Sequence, residues 1–299
     1  MFTAKVDMPL FVKFWGTRGL IPTPGNSTRV YGSNTACVEV RSDDTIFVCD
    51  AGSGIREFGK DLATRSPRPK EIHLFISHHH WDHIQGFPFA PIYFHGIKVR
   101  VYGNGANDGS LQKLLCGQAG SEYFPGSFRS VGNEIAFDYL RGDDSEINGV
   151  HVRHVRLNHP GGCTGFIFEK DGKKIVYAPD NELEIAADEK FPDPMNEGEL
   201  RRAPPALLAA VSEADLLILD GQYDDQQYAG KKGWGHSSCF SAVDLSIRAK
   251  AKNLAIFHHD PESNDPDIDA KIQSCYSRAE KHKSDLTIFA AREGVELKF

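Results

Sequence analysis

The chain has 299 residues, of which 40% are hydrophobic and 25% are charged, and this is the composition of an ordinary globular protein able to bury a large core. Its net charge of −7 argues against a protein that depends on nucleic-acid backbone contacts, because such proteins usually carry a basic face. No run approaches the ~18–20 apolar residues of a membrane span, and the first residues lack the pattern of a signal peptide.

The six cysteines are scattered along the chain and form no Cys-x-x-Cys pair. Several lie in apolar surroundings, where thiols are expected to be buried and reduced, and this favours a reducing compartment. The sequence therefore predicts a cytoplasmic protein without a membrane partner. It leaves open whether the chain forms a homodimer.

The first predicted elements are a strand at residues 11–15 and a hairpin formed by residues 36–40 and 45–50. Arg18 lies in the glycine- and proline-rich loop between them. A lone loop arginine is more often solvated, but Arg18 could also face a pocket and hold phosphate. Asp50 ends the hairpin before Ala51-Gly52-Ser53-Gly54, a pattern typical of an ordinary turn.

The most informative stretch follows the next predicted strand, residues 72–76, and reads Ser77-His78-His79-His80-Trp81-Asp82-His83. If the strand continues, His78 and His80 point the same way because they are two residues apart. Asp82 and His83 follow at the turn. The stretch can thus offer two imidazoles to one metal ion, and a carboxylate and an imidazole to a second ion roughly 3.5–4 Å away.

The spacing His78-x-His80-x-Asp82-His83 resembles the signature of the metallo-β-lactamase superfamily. The resemblance implies an α+β fold, a four-layer αβ/βα sandwich of two stacked mixed sheets flanked by helices, as one domain over residues 1–299. It also implies that Asp50 braces the metal loop by hydrogen bonds. The opening of the chain, with Gly16-Thr17-Arg18-Gly19 and Asp50-Ala51-Gly52, is most similar to the ribonuclease Z and phosphodiesterase branch.

Three further metal ligands are predicted from their register with this family. His159 follows a predicted strand at residues 150–157, at the position of the family's third histidine. Asp180 follows a strand at residues 174–178, where the family has a carboxylate that bridges the two metals. The strand at residues 253–257 ends in His258-His259, and alternation together with the family register favours His258.

Helices are predicted at residues 110–116, 206–213, 240–250 and 267–283, and residues 286–289 and 295–297 are expected to close a sheet. His236 precedes the third of these helices, for which Ser237 or Ser238 suits the N-cap. A helix N-terminus favours an anion, although a histidine there is often only a neighbour of the cap. The ribonuclease Z branch places a phosphate-binding histidine at this point. Residues 121–130 are expected to form a loop over the site, and residues 181–205 an inserted loop.

The resemblance implies one metal site of His78, His80 and His159, a second of Asp82, His83 and His258, and Asp180 between them. Imidazole and carboxylate ligands without thiolate suit two divalent ions, with zinc favoured and manganese or iron compatible. Asp82 is expected to orient the nucleophile as well as bind metal. His236 is expected to hold a phosphoryl oxygen or protonate the leaving group.

The sequence therefore predicts a metal-dependent phosphodiesterase that acts on a cyclic nucleotide or another small nucleotide, with no stable nucleic-acid partner. A ribonuclease Z-like endonuclease for tRNA 3′ ends is the first alternative. It is less favoured because the sequence has no long Gly/Lys-rich insertion to grip tRNA. A thiolester or lactone hydrolase and a non-hydrolytic di-iron sensor are also compatible, because fold alone does not choose among these functions.

Overall fold

The computed structural model describes residues 9–90, 96–104, 109–118, 120, 135–140, 144–183 and 199–299. The loop predicted over the site at residues 121–130 lies outside the described residues, as does most of the insertion predicted at residues 181–205. Among the described residues, no helix combines the length and the apolar character needed to span a membrane.

The described strands form two mixed sheets of seven strands each. The first sheet contains, in spatial order, β14 (Glu296–Lys298), β1 (Leu10–Gly16), β2 (Cys37–Ser42), β3 (Thr45–Cys49), β4 (Glu71–Ile76), β5 (Lys98–Gly103) and β6 (Ile135–Asp138). The second contains β13 (Thr287–Ala290), β12 (Asn253–Phe257), β11 (Leu216–Asp220), β10 (Lys173–Ala178), β9 (Cys163–Lys170), β8 (Val150–Leu157) and β7 (Asp144–Ile147).

The two sheets share one pairing scheme. In the first sheet β14, β1, β2 and β3 pair antiparallel, and β3 to β6 pair parallel. In the second sheet β7 to β10 pair antiparallel, and β10 to β13 pair parallel. The prediction that the last two strands close one sheet needs correction, because β13 lies in the second sheet and β14 pairs with β1 in the first.

Helices cover the outer face of each sheet. The helices in the described residues are α1 (Ile55–Thr64), α2 (Trp81–Ile84), α3 (Ser110–Gly117), α4 (Pro205–Val211), α5 (Asp225–Ala229), α6 (Cys239–Arg248) and α7 (Asp265–Lys281). The side chain of Asn264 accepts a hydrogen bond from the backbone N–H of Asp267 and caps α7. The first turn of α7 carries acidic residues and its last turn basic ones, as the helix dipole favours.

Three apolar clusters separate these layers. Phe75 of β4 packs between the sheets with Phe168 of β9, whereas Leu74 packs outward with Phe58 of α1. In the second sheet Leu217 of β11 likewise faces the cluster shared with α6 and α7. Both faces of the central strands are covered, so these strands are almost continuously apolar. The predicted four-layer αβ/βα sandwich is thus confirmed.

The pairing scheme brings several strand ends to one edge of the sandwich. β3 and β4 are parallel neighbours, and Asp50 and Ser77 directly follow them. In the second sheet β10, β11 and β12 are parallel neighbours that lead to Asp180, Asp220 and His258. The polar residues after these strands therefore meet at this edge.

Candidate metal centre

Side chains from both sheets converge at this edge into two clusters of potential metal ligands, and a third group of Asp180, His236 and His258 overlaps both. The ligand atoms within each cluster all lie within 4.8 Å of one another. The first cluster contains His78, His80, His159 and Asp180, and the second contains Asp82, His83 and His258. The structure thus brings together all seven predicted ligands, although β4 ends at Ile76 and both His78 and His80 lie beyond it.

Asp180 lies between the two clusters. Its Oδ2 is 3.5 Å from His78 Nε2 and 3.7 Å from His159 Nε2. Its Oδ1 is 3.2 Å from His83 Nε2 and 3.4 Å from His258 Nε2. Each carboxylate oxygen therefore faces a different group of imidazoles, and this is the arrangement that a bridging ligand needs.

Hydrogen bonds at Nδ1 orient the buried histidine rings. His83 Nδ1 donates to Asp50 Oδ2 over 2.7 Å, and His159 Nδ1 donates to the Gly235 carbonyl over 2.7 Å. His258 Nδ1 donates to Gln222 Oε1 over 3.0 Å. Because these donors occupy Nδ1, each ring presents the lone pair of Nε2 to the centre.

The remaining two histidines complete the first cluster from the loop after β4. His78 Nδ1 is 3.1 Å from Ser77 Oγ, so its Nε2 is the atom directed at Asp180. His80 uses the other nitrogen, and its Nδ1 lies 2.9 Å from His159 Nε2. His80 is exposed whereas His78 and His159 are buried, and the first cluster is therefore open on the side of His80.

The protonation states suit metal binding in the first cluster, whereas in the second Asp180, Asp82 and Asp50 outweigh burial and raise the pKa of His83, so a metal ion there must displace a proton. Burial lowers the pKa of His78, His80 and His159, which keeps their imidazoles neutral. Burial alone would raise the pKa of Asp180, but the neighbouring His258 and His83 outweigh it and hold the pKa of that carboxyl well below its usual range. Neutral imidazoles beside an ionised carboxylate are the forms that bind a divalent cation.

Two buried atoms support the same assignment. Among the described residues, His78 Nε2 and Asp180 Oδ1 have no hydrogen-bond partner of proper geometry although both are buried. A buried polar atom without a partner is costly, and such atoms usually mark a missing ion or water. Their position between converging imidazoles and carboxylates fits two divalent metal ions.

Backbone strain accompanies the two sites. Asp50 follows β3 with φ 64° and His258 follows β12 with φ 58°, both in the left-handed region. For a residue with a side chain this conformation costs roughly 1–2 kcal/mol. Gly235, with φ 88°, could not be replaced, because a Cβ there would lie 2.2 Å from His159 Nδ1. The close packing around the ligands fixes these conformations.

Asp50 braces the loop that carries four of the ligands. Its Oδ1 accepts the Ser77 backbone N–H over 2.7 Å. Its Oδ2 accepts hydrogen bonds from Ser77 Oγ, Tyr177 Oη and His83 Nδ1, each over 2.7 Å. Asp50 is fully buried, and its carboxylate links β3, the histidine loop and β10. This geometry agrees with the brace that the resemblance implies.

Arg18 does not occupy the position that phosphate binding requires. It is fully buried, and its guanidinium donates to the backbone carbonyls of Gly32, Asp260 and Ser263. The prediction therefore needs correction, and the alternative of a solvated loop arginine does as well. Arg18 fixes the loop in which Leu20 N–H donates to Asp82 Oδ2 over 2.8 Å.

His236 lies beside the metal ligands without belonging to the seven. Its ring stacks on His258 with centroids 4.8 Å apart, and its Nδ1 donates to Asp220 Oδ2 over 2.8 Å. Burial opposes protonation, but Asp220 outweighs this effect and raises the pKa of His236 to about 9. His236 precedes α6 as predicted, although α6 begins at Cys239 and the N-cap Ser238 makes no side-chain cap bond.

Sequence reasoning missed three residues that position this site. Asp220 holds His236, Gln222 holds His258, and Glu182 accepts the backbone N–H groups of Gly233 and Gly235. Asp220 had a usable signal, because it ends a buried strand as Asp50 does. Gln222 and Glu182 had none, because loop amides and carboxylates are ordinarily solvated.

Comparisons with known proteins agree with this geometry. Residues 45–259, which include all seven converging side chains, match the profile of a family described as Beta-lactamase superfamily domain. The chain is similar to Ribonuclease Z of Haloarcula marismortui, with 22% identity across 84% of this chain and 86% of that protein. It is also similar to Ribonuclease Z of Agathobacter rectalis, with 24% identity across 82% and 86%. The metallo-β-lactamase fold protein YhfI of Bacillus subtilis shares the fold, with TM-score 0.68, 16% identity, and coverage of 98% of this chain and 100% of that chain.

Proposed function

The chain belongs to the β-lactamase superfamily of metal-dependent hydrolases, and on this premise we propose that it is a phosphodiesterase acting on a cyclic nucleotide or another small nucleotide phosphodiester. The observation that carries the proposal is the position of the His236–Asp220 pair next to two ligand clusters joined by Asp180. Cations and a histidine donor on one side of an open site suit an anionic phosphoryl group.

The residues that would hold the two ions are His78, His80 and His159 for one, Asp82, His83 and His258 for the other, and Asp180 for both. When bound, the two divalent ions lower the pKa of water toward ~7 and neutralise charge on a phosphoryl group. Zinc is the ion we propose, because the ligands are imidazoles and carboxylates that form two sets of four when Asp180 is counted in both.

Asp82 and His236 carry the proton chemistry in this proposal. A water that has given a proton to solvent forms, through its oxygen, a bond to phosphorus in line with the leaving ester oxygen, and Asp82 orients that oxygen. The bond from phosphorus to the leaving oxygen breaks, and His236 holds a phosphoryl oxygen or gives the leaving oxygen a proton. Asp220 keeps His236 in place, because it accepts from Nδ1 and leaves Nε2 for the substrate.

The variant His236→Ala tests whether His236 acts in turnover rather than in metal binding. We expect His236→Ala to keep two metal ions per chain and to lower kcat by about 10²- to 10⁴-fold, the usual contribution of a positioned acid or base. The measurement is metal analysis followed by turnover of bis(p-nitrophenyl) phosphate. The exposed His154 provides the matched control, since His154→Ala removes an imidazole outside the site. Loss of metal from His236→Ala would instead make His236 structural.

The reaction class is tested by offering several substrates to the metal-loaded full chain. Bis(p-nitrophenyl) phosphate, cyclic AMP, a homoserine lactone and a precursor tRNA are assayed side by side. We expect turnover of the two small phosphodiesters and none of the lactone. Absence of phosphodiester turnover with both ions bound would overturn the proposal.

Ribonuclease Z activity is the second candidate, and the curated relatives favour it. Both relatives carry that name and align across most of their length and most of this chain. The same seven ligands and His236 would serve this reaction, because it also cleaves a phosphodiester. Efficient cleavage of precursor tRNA at its 3′ end, with weak turnover of cyclic AMP, would favour this candidate over the first.

A further inference from the structure

Two tryptophans at the site are largely exposed. Trp81 has 61% and Trp234 has 58% of its surface accessible. Single exposed apolar residues are common, but exposed indoles are the largest apolar surfaces that a protein can leave in water. The third tryptophan, Trp15, is buried and donates to Glu39. Exposure is therefore confined to the two indoles at the metal centre.

Each of the two tryptophans is a chain neighbour of a residue that belongs to the first ligand cluster or holds one of its rings. Trp81 directly follows His80, which is the exposed ligand of that cluster. Trp234 directly precedes Gly235, whose carbonyl accepts from His159. The rings of His80 and His159 are only 4.7 Å apart. The backbone of both tryptophans therefore adjoins the first ligand cluster.

The backbone around Trp234 is held in place. Glu182 is buried, and its carboxylate accepts the backbone N–H of Gly233 over 2.7 Å and that of Gly235 over 2.9 Å. The Lys231 carbonyl accepts the Trp234 N–H over 3.2 Å. An exposed indole on a fixed turn loses little conformational freedom when a ligand binds, and this lowers the cost of binding.

The backbone around Trp81 is fixed by the metal ligands themselves. Trp81 opens α2, and its carbonyl accepts the Gln85 N–H over 2.7 Å. The next two residues, Asp82 and His83, are buried in the second cluster. The backbone of each tryptophan thus has a defined position relative to the metal ligands.

We propose that Trp81 and Trp234 form a stacking site for a nucleobase of the substrate, next to the scissile phosphate. This inference rests on the proposed function and narrows it to phosphodiesters that carry a nucleoside at the cleaved bond. Stacking suits this chain, because every base offers a π-face and the net charge of −7 gives little general attraction for a phosphate backbone. Lys231 supports it, with Nζ 5.4 Å from the Trp234 ring centroid.

The test compares two esters with the same leaving group. Thymidine 5′-(p-nitrophenyl phosphate) contains a nucleoside, whereas methyl p-nitrophenyl phosphate does not. We expect the metal-loaded wild-type chain to prefer the thymidine ester in kcat/KM. Trp81→Ala and Trp234→Ala should each lower kcat/KM for the thymidine ester roughly 5- to 100-fold, the range for removal of one base–aromatic stack. Turnover of the methyl ester should stay within about twofold, because that ester makes no stack.

Further readouts distinguish stacking from a structural role. The loss should lie in KM rather than kcat, because a stack is present in both the ground state and the transition state. Trp81→Phe and Trp234→Phe should retain most of the kcat/KM for the thymidine ester that the alanine variants lose. Tyr276→Ala removes an exposed aromatic ring on α7, the helix that packs on β13. It should change the kcat/KM of neither ester. Adenosine 5′-monophosphate should quench indole fluorescence in the wild type and not in the double alanine variant.

The outcomes separate the two proposals. If neither ester is hydrolysed with both ions bound, the proposed function fails. If both esters are hydrolysed equally well and the alanine variants are unchanged, the proposed function stands and the stacking site is overturned. Equal losses on both esters with reduced metal content would also overturn it, because the tryptophans would then only support the ligands.

Discussion

The two sheets supply the metal centre in different ways. From the first sheet, four ligands come from the six residues His78 to His83, all in the loop after β4 and in α2. From the second sheet, three ligands come from three separate loops, with His159 after β8, Asp180 after β10 and His258 after β12. One half of the centre is thus local in the chain, and the other half exists only when the sheet is assembled.

This difference determines how each half is stabilised. The local half depends mainly on Asp50, which holds the histidine loop through Ser77 and His83. Two ligands of the distributed half have one brace each, since Gly235 accepts from His159 and Gln222 accepts from His258. A change in one brace of the second sheet should therefore affect one ligand, whereas a change in Asp50 should affect the whole loop.

The largest expected effect comes from Asp180, whose two carboxylate oxygens face the two ligand clusters. We expect Asp180→Asn to reduce metal content at both positions and to lower phosphodiester turnover by at least about 10³-fold, because the charge between two cations is lost. Metal per chain and kcat are the measured quantities. The exposed Asp285→Asn removes a carboxylate of the same kind away from the site and serves as the control.

The variant His258→Ala tests whether Asp180 connects the two clusters. It removes one ligand of the second cluster only, so one ion should remain bound by His78, His80 and His159. If Asp180→Asn and His258→Ala release the same number of ions, Asp180 does not connect the two clusters.

Asp50 gives the next largest effect. Asp50→Asn keeps the size of the side chain but removes the negative charge that accepts from His83 Nδ1, and we expect metal affinity to fall by about 10- to 100-fold, as for other groups that orient metal ligands. Tyr177→Phe removes only one donor to the same oxygen and should have a much smaller effect. Competition with a metal chelator measures the metal affinity of both variants. Equal affinities for Asp50→Asn and the wild type would show that the loop needs no brace.

Local pattern explains why much of the fold and the first half of the site could be predicted. The strands β8 and β12 have the predicted bounds, and β4 begins one residue earlier than expected. β4 and β12 are apolar runs buried on both faces, whereas β8 alternates buried and more exposed residues. The four ligands after β4 are adjacent in the chain, so their spacing alone indicated a metal site. His159, Asp180 and His258 could be named only from family register.

Tertiary contacts explain the misses. Arg18 is buried by the carbonyls of Asp260 and Ser263, more than 240 residues away along the chain. β6 and β7 have four residues each and carry little pattern of their own, and they form because β5 and β8 offer backbone groups to pair with. Asp220 reaches His236 only because β11 lies between β10 and β12. None of these relations is visible in a short window of sequence.

The smallest expected effect concerns the pH dependence of stability. It involves His73 within β4, which differs from His78 in the loop after β4 because His73 lies away from the metal site. His73 is buried, with Nδ1 3.1 Å from Tyr102 Oη and its ring 5.5 Å from that of Phe47. Burial lowers the pKa of His73 to about 4, and the nearby Glu71 only partly offsets this effect. Burial in the apolar core between the sheets is therefore enough to keep His73 neutral.

The sign of the pH dependence follows from this lowered pKa. Between pH 4 and pH 6.5 the unfolded chain binds a proton at His73 that the folded chain does not, so the free energy of unfolding should fall as pH falls through this window. The expected contribution is about 3 kcal/mol. Urea unfolding of the chelator-treated chain from pH 7 to pH 4 measures it, with His73→Gln as the variant that lacks the titrating ring. Both proteins share every other titrating group, so only the difference between their slopes reports on His73. Identical slopes would mean that His73 accepts a proton in the folded state, and burial in β4 would then not keep it neutral.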